Sequence, residues 1–313
     1  MASTDLTKEV EFDLSPLFKI YKDGTIERLL FTDSVPPSSD DRTRVSSKDV
    51  IVSADTGVSA RLYLPKLRKP DVKLPLVVYF HGGGFCIASA AASIYHSYLN
   101  HLSAQANVLI VSVDFRRPTE HPLPIAYDDS WAVINWVLAR GDGEPWLLDH
   151  ADLGRVFLCG DSAGANVAHN MGMRAGSMGL AGLVLIHPYF WGPEPIGSEE
   201  SADPRRKSIM DCLWRIVNPG STGHDDPLIN PVGPGAPSLA GLGCARVMVC
   251  VAGKDILKDR GRLYYESVLK SGFEGKVEMV ETEGEEHCFH LFDYDCDNSV
   301  ELMKRLVSFI GEA

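Results

Sequence analysis

The chain has 313 residues, 45% of them hydrophobic, enough to bury a substantial core without a disulfide or metal staple. A formal net charge of −12, with no basic run beyond clusters such as Arg205-Arg206-Lys207, excludes a track for nucleic-acid phosphates and electrostatic attachment to anionic lipid. Residues 1–10 carry acidic side chains and no continuous apolar core, and no later stretch is apolar enough to span a bilayer, so neither secretion nor membrane insertion is expected and the cytoplasm is the simplest location.

No Ser/Gly-rich or Pro-rich linker interrupts the chain, so one domain over 1–313 is expected. Residues 1 to about 45 are polar and mixed, with a turn at Asp13-Leu14-Ser15-Pro16, and are read as a segment folding over the rest. The β-rich runs 45–53 and 60–64, separated by Asp55-Thr56-Gly57, predict an antiparallel pair. Short apolar runs at 74–80, 107–114, 155–160, 182–187, 246–252 and 276–281 have the composition of strands buried on both faces. Helical periodicity fills the intervals at 95–105, 127–139, 163–175, 260–271 and 299–310. This alternation predicts an α/β-hydrolase-type architecture, a mostly parallel sheet of about eight strands with helices on both faces. From 188 to 243 the rhythm breaks into Pro- and Gly-dense sequence with no strand. That interval is read as an insertion which, with the N-terminal segment, caps the C-terminal ends of the strands.

The strongest motif is Gly160-Asp161-Ser162-Ala163-Gly164, placed between a predicted strand and a predicted helix. Such a turn needs glycines where backbones approach closely, and it lifts the Ser162 hydroxyl to the sheet edge at a helix N-terminus. The structural alternative is a glycine turn with an incidental Ser N-cap. Earlier, His81-Gly82-Gly83-Gly84-Phe85 follows a strand, and its unobstructed N–H groups at Gly83 and Gly84, with that of Ala163, suit a developing oxyanion. Alone this run also reads as a plain loop or a phosphate cradle.

A serine hydroxyl needs a base and a third group that orients the base. His287, in the loop after the strand 276–281, and Asp255, after the strand 246–252, supply them in the order Ser, Asp, His. His290 and Asp259 are the rivals. His169 and His187 are read as packing residues, and Glu120 and His121 as scaffold. Seven cysteines, an odd number without a Cys-x-x-Cys pair, are read as free and mostly buried thiols, so no metal site is expected.

His81-Gly-Gly-Gly-Phe85, Gly160-Asp-Ser-Ala-Gly-Ala-Asn166, Glu120-His121-Pro122, Gly253-Lys-Asp255 and the opening Leu14-Ser-Pro-Leu-Phe-Lys-Ile-Tyr-Lys-Asp-Gly24 carry a resemblance over nearly the whole chain. They resemble plant carboxylesterases of the hormone-sensitive-lipase group, which includes 2-hydroxyisoflavanone dehydratases and relatives of the gibberellin receptor. The resemblance implies a triad of Ser162, Asp255 and His287, an oxyanion hole at Gly83, Gly84 and Ala163, an N-terminal cap, and no metal or organic cofactor. Arg116-Arg117-Pro118-Thr119-Glu120 departs from the group's usual Arg-Leu-Ala-Pro-Glu, which leaves the local loop open.

Hydrolysis of a small-molecule ester is the leading expectation. Elimination chemistry on a plant metabolite is the alternative, weakened by Ser162 where the dehydratases carry Thr. A non-catalytic small-molecule receptor is a third, which the presence of His287 opposes. Phe85, Phe190, Trp191 and Trp214 are candidates for an apolar pocket wall.

Overall fold

The computed structural model describes residues 9–67 and 72–312, so the reading of residues 1–10 falls almost wholly outside it. The N-terminal segment opens with a small antiparallel sheet of β1 (Val10–Leu14), β2 (Phe18–Tyr21) and β3 (Ile26–Arg28). The sequence announced only a turn here. Its alternation is short, and of the first strand only Leu14 is buried, so periodicity alone carried too little signal.

The main sheet follows with β4 (Ser46–Ser53), β5 (Val58–Leu64) and β6 (Leu74–Phe80), then α1 (Ser93–Ala106) and β7 (Leu109–Asp114). Next come α2 (Ile125–Leu138), α3 (Pro145–His150), β8 (Ala151–Asp161), α4 (Ala163–Ala175) and β9 (Gly182–Ile186). The chain ends with α5 (Pro204–Val217), β10 (Arg246–Ala252), α6 (Lys258–Lys270), β11 (Lys276–Thr282), α7 (Phe289–Phe292) and α8 (Asp297–Gly311). The eight strands run in the order β11-β10-β9-β8-β6-β7-β5-β4. All neighbours from β11 to β7 are parallel, whereas β5 joins β7 and β4 joins β5 antiparallel.

Burial explains the strand order. Every residue of β6 and β10 is buried, as interior strands covered by helices on both faces must be. The two edge strands, β4 and β11, carry Lys48, Asp49, Glu278 and Glu281 and stay partly exposed, which discourages further pairing. Helix α4 is rich in alanine and glycine, so its backbone lies close against β8 and β9. One predicted boundary moves for a local reason: Asn107 is the left-handed C-cap of α1 rather than the first residue of β7.

The interval 188–243 holds no named strand, as expected, but it does hold α5, which the sequence reading missed beneath its dense Pro and Gly. The helix begins where Asp203 accepts the N–H groups of Arg205 and Arg206 at 2.8 and 3.2 Å, with Pro204 in the first position. Buried Arg260 of α6 clamps the insertion through Glu199, at 2.7 and 2.8 Å. Asp259 accepts the Ser198 N–H and hydroxyl at 2.7 and 2.6 Å. Asp259 therefore ties the cap down instead of capping its own helix, which starts a residue earlier, at Lys258.

Candidate active site

Strand β8 delivers Ser162 to a turn with backbone angles φ 53° and ψ −120°, a conformation that costs an ordinary residue about 1–3 kcal/mol. Tertiary bonds sustain it: the Ser162 N–H donates to Ile186 at 2.8 Å, and its carbonyl accepts the Tyr189 N–H at 3.0 Å. The flanking glycines are required by space. A Cβ on Gly160 would lie 2.3 Å from the Gly164 carbonyl oxygen, and one on Gly164 would lie 1.9 Å from that of Phe80. Helix α4 can leave the sheet at this angle only because neither side chain exists.

The loop after β11 brings His287 to the end of β10, where its Nδ1 lies 2.6 Å from Asp255 Oδ2. The other carboxylate oxygen of Asp255 accepts the Leu257 N–H at 3.0 Å. The Asp255 side chain is 1% exposed while that of His287 is 37% exposed, so the acid is dry and the imidazole is reachable from the cavity. Burial pushes the Asp255 carboxyl up, but the imidazole's charge and hydrogen bond overcome this and hold it below the ordinary carboxylate value. For His287, desolvation opposes the charged ring; the charge and hydrogen bond of Asp255, with Asp161 further off, outweigh it and hold the ring above the ordinary imidazole value. The rivals lie elsewhere. Asp259 is engaged with Ser198 and Arg262, and His290 is buried edge-on to Tyr98 with neither ring nitrogen partnered.

At the end of β6, Gly83 and Gly84 have φ +82° and +57°, and a Cβ on Gly84 would meet Leu213 of α5 at 2.8 Å. The Gly83 carbonyl accepts the N–H groups of Cys86 and Ile87 at 3.0 and 2.9 Å, which closes the loop. Among the described residues, no backbone hydrogen bond uses the N–H of Gly83, Gly84 or Ala163. Beside them, His81 stacks on Phe115 at 4.4 Å, and burial pulls its pKa down to about 4, so it is neutral.

Gly83, Gly84, Ser162, Asp255 and His287 line one cavity of about 370 Å³. Its apolar walls come from Leu17, Leu30 and Phe31 of the N-terminal segment, from Ile209, Met210 and Leu213 of α5, and from Leu291 and Phe292. None of the four aromatic residues expected in the wall is there. Phe85 is wholly buried against Tyr127, Tyr189 and Trp214. Phe190 packs on His169 and Tyr264. The indole N–H groups of Trp191 and Trp214 are bound to Asp211 and Ser221 at 2.7 and 2.9 Å. These large rings are core beneath the cap, and smaller aliphatic side chains on α5 face the cavity.

The scaffold residues tie the cap to the oxyanion loop. Arg28 of β3 donates to the Cys86 carbonyl at 2.7 Å and to Glu120 at 2.6 Å, while Arg116 pairs with Asp129 and Arg117 donates to the Ala88 carbonyl. His187, read from sequence as packing, accepts the Cys288 N–H on Nδ1 at 2.8 Å and so braces the backbone next to His287. Among the described residues, His187, His287 and Cys288 bring possible metal-ligand atoms within 4.8 Å of one another. The hydrogen bond to Nδ1 leaves the His187 proton on Nε2, and burial with Asp161 nearby pushes the Cys288 thiol well up. His187 is thus left with no free ring lone pair, and Cys288 is held as the thiol rather than as the thiolate that ligates a metal. All seven cysteines are free. No helix among the described residues is long and apolar enough to cross a membrane.

A family model described as alpha/beta hydrolase fold matches residues 77–291, and the chain belongs to that family. It is a carboxylesterase-type member, a hydrolase of carboxylic esters. Probable carboxylesterase 2 of Arabidopsis thaliana is 48% identical over 97% of this chain and 98% of that protein. Tuliposide A-converting enzyme 1, chloroplastic, of Tulipa gesneriana is 50% identical over 98% of this chain and 80% of that one. The 2-hydroxyisoflavanone dehydratase of Glycyrrhiza echinata is 45% identical over 98% of both. Among solved structures, the metagenomic carboxylesterase EstE1 superposes with a TM-score of 0.73 at 28% identity, covering 90% of this chain and 92% of that one. The tulip relatives at 47–50% identity carry chloroplastic or amyloplastic names, which overturns the cytoplasmic expectation. The absence of an apolar core excluded only a secretory signal; plastid addresses are Ser- and Arg-rich and amphipathic, so that test does not see them.

Proposed function

We propose that this chain hydrolyses small-molecule carboxylic esters through an acyl-enzyme on Ser162. His287 takes the hydroxyl proton on Nε2, Asp255 fixes the tautomer through Nδ1, and the N–H groups of Gly83, Gly84 and Ala163 receive the charge that develops on the carbonyl oxygen. His287 returns its proton to the leaving alcohol, then accepts one from the water that releases the acid. The cap elements, residues 9–45 of the segment expected over about 1–45 together with 188–243, belong to one unit with the hydrolase body and enclose an apolar acyl or alcohol group. The tulip relatives' names support action in a plastid.

The observation that carries this reading is the 2.6 Å contact of His287 Nδ1 with a buried Asp255, in the same cavity that Ser162 lines on its strained turn. A fluorophosphonate probe followed by peptide mass spectrometry tests it: the adduct is expected on Ser162 and absent in Ser162→Ala. The dehydratase relative supports elimination as a second reading, with His287 abstracting a carbon-bound proton. Assaying acyl esters of graded length beside one hydroxylated flavanone separates the two, because elimination would survive Ser162→Ala.

A further inference from the structure

Asp161 and the tyrosines around it have no part in the steps above, yet they converge beside Ser162. Asp161 is 1% exposed. The Tyr79 hydroxyl donates to its Oδ1 at 2.8 Å and the Tyr95 hydroxyl to its Oδ2 at 2.9 Å, while Cys288 Sγ lies 3.6 Å from Oδ2. The Tyr95 hydroxyl in turn accepts the Gly82 N–H at 2.9 Å. The relay thus joins the residue before Ser162, at the end of β8, to helix α1 and to the first glycine of the oxyanion loop.

The direction of this relay is fixed by chemistry. A backbone N–H only donates, so the Tyr95 oxygen must accept from Gly82 and turn its own proton to Asp161 Oδ2. The loop is then held from both sides, by the Gly82 N–H at one end and by the Gly83 carbonyl at the other. The free N–H groups of Gly83 and Gly84 lie at and just beyond this held stretch, and their aim is set by its two anchors. Packing leaves no slack, since a Cβ on Gly82 would lie 2.5 Å from Asp161 Oδ2. Burial raises the Asp161 carboxyl, and the two tyrosine hydroxyls oppose that shift. A buried carboxyl group is expensive to keep without such partners.

We infer that Asp161 and Tyr95 are positioning residues for ester hydrolysis, aiming the Gly83 and Gly84 N–H groups at the oxyanion by anchoring Gly82. This rests on the oxyanion hole proposed above.

The test compares Tyr95→Phe, Asp161→Asn and Tyr98→Phe in the full chain, with an aryl ester as substrate. Tyr98 sits in the same aromatic cluster and its buried hydroxyl has no hydrogen-bond partner, so it controls for loss of a hydroxyl alone. In Tyr95→Phe, kcat is expected to fall about 10–100-fold with KM within about threefold, because a misaimed donor costs part of what a lost one costs. Tyr98→Phe should stay within about twofold. Fluorophosphonate labelling of the parent at Ser162 is checked first, so failure of the site reading shows there and not in the variants. A kcat within about threefold of the parent in Tyr95→Phe, with an unchanged melt, overturns the inference. It is also overturned if only Asp161→Asn loses activity and the acid limb of its pH profile moves to lower pH. Asp161 would then act by charge on His287, which also faces Asp255, Glu286, His187 and His290. Should Asp161→Asn fail to fold, Tyr95→Phe decides alone.

Discussion

Replacing Asp255 by Asn tests the acid directly, and the structure dictates how the amide must sit. Asp255 Oδ1 accepts the Leu257 N–H at 3.0 Å, a place that only an oxygen can fill. The amide NH2 therefore takes the position of Oδ2, 2.6 Å from His287 Nδ1. Nδ1 must then accept, the ring proton moves to Nε2, and no lone pair remains to take the Ser162 proton. The loss in kcat can reach about 10⁴-fold, or about 5.4 kcal/mol of barrier, with KM little changed. Steady-state hydrolysis of an aryl acetate measures it, with thermal melts as the folding control. Asp259→Asn is the matched control: it weakens the bonds to Ser198 and is expected to cost about 1 kcal/mol of stability while kcat holds. A loss of less than about tenfold in a folded Asp255→Asn, or a collapse of kcat in Asp259→Asn instead, would refute the assignment.

The same pair sets the pH dependence. Because the base must be neutral and Asp255 holds the imidazole above its ordinary value, kcat/KM should fall with decreasing pH through a midpoint above about 6.5, and a midpoint at or below that value would contradict the coupling. Gly84→Pro removes a donor outright, in a backbone region that proline cannot adopt, and should cut kcat about a hundredfold or more. An aryl ester turned over within about threefold of the parent rate by a folded variant would count against this hole. Truncating Leu213 to Ala should raise turnover of bulkier acyl esters relative to acetate, since Leu213 of α5 stands directly over Gly84; an unchanged ratio across the acyl series would remove it from the acyl wall. Hydrolysis should persist with chelators and with dithiothreitol, because the cysteines are free and, in the cluster of possible ligand atoms found among the described residues, His187 Nδ1 is already hydrogen-bonded and Cys288 is held as the thiol; inactivation by either reagent would show a metal or disulfide requirement.

Much of the fold was legible because its signals are local. The interior strands read as apolar runs, β4 and β5 as a β-rich antiparallel pair, and α4 matched its predicted span of 163–175; the run 276–281, expected to be buried on both faces, is instead the edge strand β11 and stays partly exposed, because the strand order that places it outermost is not written in its own residues. Ser162, Gly83 and Gly84 were legible for the same reason: a sharp turn and a close backbone approach require glycines at fixed offsets in the chain. Asp255 and His287 could be named because each follows directly on a strand, at the edge where loops emerge.

What the sequence could not settle is where a side chain points once the chain has returned on itself. The aromatic residues near the insertion have the composition of a pocket wall, yet the cap turns Phe85, Phe190, Trp191 and Trp214 into its own core. The wall is made instead by aliphatic residues of α5, and by Leu17, Leu30 and Phe31 from far earlier in the chain. Helix α5 was hidden because the interval around it is dense in proline and glycine, and the bonds that anchor it, from the Tyr189 hydroxyl to the Met210 carbonyl and from the Trp191 indole to Asp211, are tertiary. Asp161 was in plain view inside the motif. Only the fold brought Tyr79 from β6 and Tyr95 from α1 to its carboxylate, because hydrogen bonds between residues 66 and 82 positions apart depend on how strands and helices stack and leave no trace in local spacing.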